Sequence, residues 1–173
     1  QQQTHAAIWG WADAGESIVI RASWGTMASV KAGKDGRWKL FLETPGAGTG
    51  HTLQVKGSNQ IQIKDVAIGE VWLCVGQSNM GWSVANSFEA EKESEVDLPH
   101  LRIFKSAREH WHEPLAENRD RLSRWKRCDA KAAAETSAVA YYFGKKLHEE
   151  LKIPVGIIQR AYAGTPIEGW MPW

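Results

Sequence analysis

The sequence predicts two architectures in series: a small antiparallel β-sandwich over residues 1–68, then the N-terminal part of a parallel α/β domain over residues 69–173. Two textures carry that expectation. Up to Val66, short alternating segments are separated by turns bearing Gly, Asp or Asn, the pattern of antiparallel β-structure. After Gly69, continuous apolar runs alternate with helical stretches, as in sheets whose strands are buried on both faces.

In the first part, strands are expected at residues 17–22, 26–32, 37–43, 51–56 and 59–64. The breaks fall at Asp13-Ala14-Gly15-Glu16, Lys34-Asp35-Gly36-Arg37, the 45–50 loop and Gly57-Ser58-Asn59, each supplying the residues tight turns require. Gln1-Gln2-Gln3 runs straight into His5-Ala6-Ala7-Ile8-Trp9 with no partner strand before it. The first strand of the sandwich is therefore expected to be missing, as in a chain cut at its N-terminus.

In the second part, Val71-Trp72-Leu73-Cys74-Val75 reads as a doubly buried strand. A charged helix is expected over 87–96, capped by Asn86 and closed by Pro99, before a strand at 101–104. The clearest helix spans about 136–151, where Val139, Phe143, Leu147 and Leu151 recur every four residues as one apolar stripe expected to pack on the sheet. A strand at 153–158 follows, and the Gly-containing loop 161–165 lies at its carboxyl end, the edge where open α/β sheets bind ligands. The basic stretch 119–127 receives no element.

Composition narrows the function classes. Apolar residues at 43% and charged residues at 24% fit a globular protein. A net charge of +1, from 21 Lys and Arg against 20 Asp and Glu, provides no field for nucleic acid or a membrane surface, and no apolar run reaches transmembrane length. Ten Trp is a high count, and indole faces pack on sugar rings as readily as they fill cores. Cys74 and Cys128 form neither a disulfide framework nor a metal cage, and their pairing with each other stays open.

Chemistry concentrates where the apolar strand runs into Gly76-Gln77-Ser78. At a strand's carboxyl end, Ser78 is presented with its own backbone N–H aimed at a developing oxyanion, and Gly76 permits the bend. A serine hydroxyl needs a base to become a nucleophile. The Gly-x-Ser-x-Gly elbow is disfavoured, because Met80 occupies the position of its second Gly. Taken alone, Gly-x-Ser is as well read as a turn serine capping the next helix.

The segment Gly69-Glu70-Val71-Trp72-Leu73-Cys74-Val75-Gly76-Gln77-Ser78-Asn79-Met80 is similar to block I of the SGNH hydrolases, in the form used by the sialate O-acetylesterase family of carbohydrate acetylesterases. Residues 137–144 and 153–158 resemble that family's next helix and strand, and Gly164-Thr165-Pro166-Ile167-Glu168-Gly169-Trp170 resembles its block II, with Ala163 in place of the first of two glycines. Residues 9–16 resemble its N-terminal β-domain. The resemblance implies a flavodoxin-like, three-layer SGNH sheet, of which this chain holds the N-terminal part behind a β-sandwich. It also implies a serine esterase that removes O-acetyl groups from carbohydrates such as sialic acid or xylan. Ser78 would be the nucleophile, the amides of Ser78 and Gly164 would be oxyanion donors, and no metal or cofactor would take part. A secreted or periplasmic setting, lysosomal in a eukaryote, goes with it.

The family's Gln-Gly-Glu-Ser-Asn block and its late Asp-x-x-His do not occur before Trp173. None of His5, His51, His100, His110, His112 and His148 lies in an Asp-x-x-His pattern. His148 reads as a solvated helix residue, the His110/His112 pair lacks a third metal ligand, and Glu91 and Glu93 read as solvent-facing rather than as glycosidase carboxylates. The base is therefore expected from a C-terminal half of the same enzyme, supplied as a second chain or a further segment, and the isolated chain is expected to be inactive. The partner is an O-acetylated carbohydrate, with neither nucleic acid nor membrane. The alternative is a carbohydrate-binding or scaffold fragment, suggested by the Trp-rich β-domain.

Overall fold

The computed structural model describes residues 1–106 and 123–171 and divides into two compact units, Gln1–Glu70 and Val71–Trp173. The N-terminal unit holds strands β1 (His5–Trp11), β2 (Ser17–Ala22), β3 (Met27–Lys31), β4 (Arg37–Glu43), β5 (Gly48–Lys56) and β6 (Gln60–Ile68). β1 pairs with β4, and a second sheet runs β3-β2-β5-β6, all antiparallel. β1 is paired along its whole length, His5 opposite Glu43 through Trp11 opposite Arg37. The neighbour not found before it thus comes from later in the chain.

Alternation explains why these segments are strands. In β4 every second residue is buried, so Trp38, Leu40 and Leu42 enter the core while Arg37, Lys39, Phe41 and Glu43 face out. Ile18 and Ile20 of β2 and Leu53 of β5 complete the same core, which both sheets therefore share.

The second unit contains β7 (Glu70–Gly76), α1 (Ser78–Gly81), β8 (Asp97–Lys105), β9 (Trp125–Asp129), α2 (Ala130–Glu135), α3 (Ala138–Leu151) and β10 (Val155–Ala161). The sheet order is β7-β10-β8-β9, with β8 and β10 parallel and β9 antiparallel at one edge. It is a mixed sheet. Pro99 lies inside β8, within the register shift that separates the Leu98 and Arg102 pairings with β9, as expected of a residue that cannot donate to a ladder.

Trp72 and Leu73 of β7 are 43% and 65% exposed, so that strand is not buried on both faces, and two further sequence expectations need correction. The charged helix over 87–96 is absent: its place is taken by short 3-10 helices at Val84–Asn86 and Ala90–Glu93, with Glu89 between them in the left-handed region at φ 56°. Asn86 ends the first of these helices instead of capping a longer one. Glu93 does not face solvent. It is 8% exposed, accepts a hydrogen bond from the Tyr141 hydroxyl at 2.6 Å, and is bridged by Lys145 Nζ at 2.7 Å. That tertiary anchor outweighs the weak helix preference of a polar run.

The second correction concerns α3. Val139, Phe143 and Leu151 remain exposed, and the buried face is Ala140, Tyr141 and Gly144, with Leu147 partly buried against the core. Small residues win because they let the helix axis approach the sheet. A methyl group on Gly144 would lie 2.9 Å from Ile157 Cγ1 and 3.1 Å from Leu101 Cδ1. We expect Gly144→Val to lower stability by about 2 kcal/mol through overpacking, and Gly144→Ala by less, since the better helix propensity of Ala returns up to about 1 kcal/mol. Urea midpoints of the two variants check this, and a Val variant as stable as the parent would refute the close approach.

Cys74 and Cys128 are both free and buried. Burial pushes the Cys128 thiol up to about 12, with the Asp129 and Glu93 carboxylates adding to the effect and Lys145 opposing it. It is a packing residue, not a nucleophile. No helix among the described residues is long and apolar enough to cross a membrane.

Candidate active site

β7 ends at Gly76, whose φ of +151° is a glycine conformation; a Cβ there would also press to 3.2 Å on Met80 Cβ. Gln77 caps α1, and Ser78 opens it, fully exposed. The Gln77 side-chain oxygen Oε1 accepts two bonds from the same neighbour, one from the Ser78 amide at 3.2 Å and one from the Ser78 hydroxyl at 2.9 Å. A carbonyl oxygen thus fits between the hydroxyl and the adjoining N–H.

The turn is anchored from behind. Gly76 O accepts from the Tyr162 amide at 3.0 Å, which draws the start of the 161–165 loop against the end of β7. Gln159, 4% exposed at the end of β10, accepts from the Ser137 amide at 3.0 Å and donates through Nε2 to Met80 O at 3.5 Å. Ser137, the N-cap of α3, also places its hydroxyl 3.3 Å from Met80 Sδ. The short helix bearing Ser78 is therefore tied to β10 and to α3 by two buried polar side chains, each of which would be costly to leave unpaired.

Gly164 lies exposed in the loop after β10 at φ +77°, again a conformation suited to glycine. Ala163 has no positive φ, so the methyl group that replaces a glycine hydrogen sits on ordinary backbone. Trp170 Nε1 donates to Thr165 Oγ1 at 2.8 Å, and that hydroxyl donates to Tyr162 O at 2.8 Å, closing the loop on itself ahead of the 3-10 helix Ile167–Trp170. Beside the carboxyl ends of β7 and β10, a cleft of about 540 Å³ is lined by Leu73, Val75, Ile158, Arg160, Trp170 and Met171 among others; Ser78 is not in its wall.

The histidines that sequence set aside stay apart from this turn in their bonding. His148 is half-buried, not solvated, with Nδ1 2.7 Å from Ile153 O, while His51 contacts Ser23 and Trp24 in the N-terminal unit. His110 and His112 lie outside the described residues. The Ser78 hydroxyl is bonded to Gln77, not to an imidazole. Sequence reasoning missed Gln77, Gln159 and Ser137. The available signal was Gln159, a polar residue directly after the apolar run Val155-Gly156-Ile157-Ile158.

The structure is similar to that of a carbohydrate acetylesterase from Xanthomonas citri, on which it superposes with a TM-score of 0.91 at 32% identity, over 98% of this chain and 39% of that one. Residues 68–173 match the family described as carbohydrate esterase, sialic acid-specific acetylesterase, and the chain belongs to that family. Curated relatives include the sialate O-acetylesterases of Rattus norvegicus, 29% identical over 98% of this chain, and of Homo sapiens, 28% identical over 95% of it. The chain spans 34% and 35% of their respective lengths.

Proposed function

We propose that this chain is the nucleophile-bearing portion of a serine esterase that removes acetyl groups from sugar hydroxyls, built on an SGNH-type three-layer sheet behind a β-sandwich. Ser78 Oγ attacks the ester carbonyl carbon while a His takes its proton. The carbonyl oxygen becomes an oxyanion held by the Ser78 and Gly164 amides; collapse expels the sugar alkoxide, which takes a proton from the His. Water, activated by the same His, then releases acetate from the acyl-serine. The Asp and His come from polypeptide beyond Trp173, so this chain by itself is expected to lack turnover. An enzyme acting on acetylated sialic acid or a related glycan fits the relatives' names, and we place its action outside the cytoplasm as part of the same proposal.

The observation that supports this reading best is the pair of bonds at Gln77 Oε1. A carbonyl oxygen that accepts from the Ser78 amide lies where an oxyanion would be stabilised, and the hydroxyl beside it can meet the carbonyl carbon once a base takes its proton; the surrounding turn is preorganised by buried bonds rather than by a ligand. A fluorophosphonate, which forms a phosphorus–oxygen bond to an activated serine and expels fluoride, tests it on the longer enzyme. One adduct on the Ser78 peptide, formed in step with loss of activity, is expected. Inactivation with the label on another residue would refute the assignment.

A further inference from the structure

In β1 the side chains left out of the core are Trp9 and Trp11, 56% and 60% exposed. Their register partners in β4 are Lys39 and Arg37, and one pair further along Phe41, also 56% exposed, stands opposite Ala7. Residues directly opposite in an antiparallel pair project to the same side. Three aromatic rings and two cations therefore share one outward face, with the His5–Glu43 pair at the end away from Trp11. The core does not use them: it is filled from β4 by Trp38, Leu40 and Leu42, and Gly10 lacks the Cβ that would clash with Trp38, 2.7 Å from its Cζ2.

A solvated sheet face is ordinarily polar. Here each exposed ring forgoes part of the stabilisation that burial gives, and clustered exposed aromatics mark a contact surface. The geometry points to a binding platform for an acidic oligosaccharide. Trp9 and Trp11 stand about 7 Å apart along the strand, and their electron-rich faces attract the weakly positive C–H faces of sugar rings as they attract cations. Beside them, Arg37 and Lys39 provide the charges a sugar carboxylate pairs with. Lys39 Nζ lies 5.2 Å from the centre of the Phe41 ring, and Arg37 has only a long 3.9 Å contact with Asp35 in which both side chains are more than half exposed.

Calorimetric titration of the chain with a linear sialic acid tetramer, and with xylotetraose as the neutral comparison, tests the platform. Binding of the acidic tetramer is expected, weakened by salt, and reduced by about tenfold in Trp9→Ala or Trp11→Ala. Lys39→Gln and Arg37→Gln should weaken the acidic ligand alone, and Trp9→Tyr should retain most of the affinity. All these side chains are exposed, so far-UV circular dichroism should be unaltered. Absence of binding, equal affinity for xylotetraose, or indifference to the Trp and Lys substitutions would overturn the proposal. So would a concentration-dependent dimer that Trp9→Ala abolishes, which would assign the face to self-association.

Discussion

Ser78→Ala in the longer enzyme that carries this sequence should lower turnover of p-nitrophenyl acetate by roughly a thousandfold or more, with KM little changed. In the mechanism we propose the loss falls on turnover, because the hydroxyl would form the acyl bond, whereas the donors to the carbonyl oxygen are backbone groups and would remain. Stability should hardly move. Ser78 is exposed and its Oγ bonds only to the equally exposed Gln77, so its removal leaves no buried group without a partner. Steady-state kinetics beside a thermal melt separates the two effects. Undiminished hydrolysis by a folded variant would remove Ser78 from the mechanism.

The largest stability effect is expected at Glu93. Its carboxylate is nearly buried and holds the Tyr141 hydroxyl and Lys145 together. Glu93→Ala should cost about 3 kcal/mol, since it leaves a buried phenol and a partly buried ammonium without their acceptor. Glu93→Gln should cost less, as an amide oxygen still accepts from Tyr141. Burial raises the Glu93 carboxyl, but hydrogen bonds from Lys145 and Tyr141 and the Lys145 charge outweigh it and hold it below the usual glutamate value. A carboxyl lowered in the folded state binds more protons when unfolded. Its contribution is therefore complete above the unfolded value of about 4.3 and is lost as pH falls through the lower folded value. Urea midpoints of wild type and Glu93→Gln should converge in acid and separate above about pH 5; a gap independent of pH would refute the charge-based account.

How legible was this in the sequence? Strands β2 to β6 of the N-terminal unit were, because alternation such as that of residues 37–43 encodes both the element and its buried face. The turn at Ser78 was legible as a motif. The face of α3 was not: Val139 and Phe143 are large and correctly spaced, yet the sheet is met by Ala140 and Gly144. Spacing finds a stripe but not the distance of approach. Glu93 was misread for a related reason, since its partners lie 48 and 52 residues away. The same separation hid Gln159, which reaches 22 residues back to Ser137 and 79 back to Met80.

Those last two links have a mechanical consequence. Because Gln159 and Ser137 fasten the short helix bearing Ser78 to a strand and to the cap of a long helix, the aim of one hydroxyl is borrowed from packing far behind it. In the mechanism we propose, loosening that distant support would blur the direction of attack while leaving every reacting group in place, so precision would be a property of the scaffold's stiffness as much as of the serine.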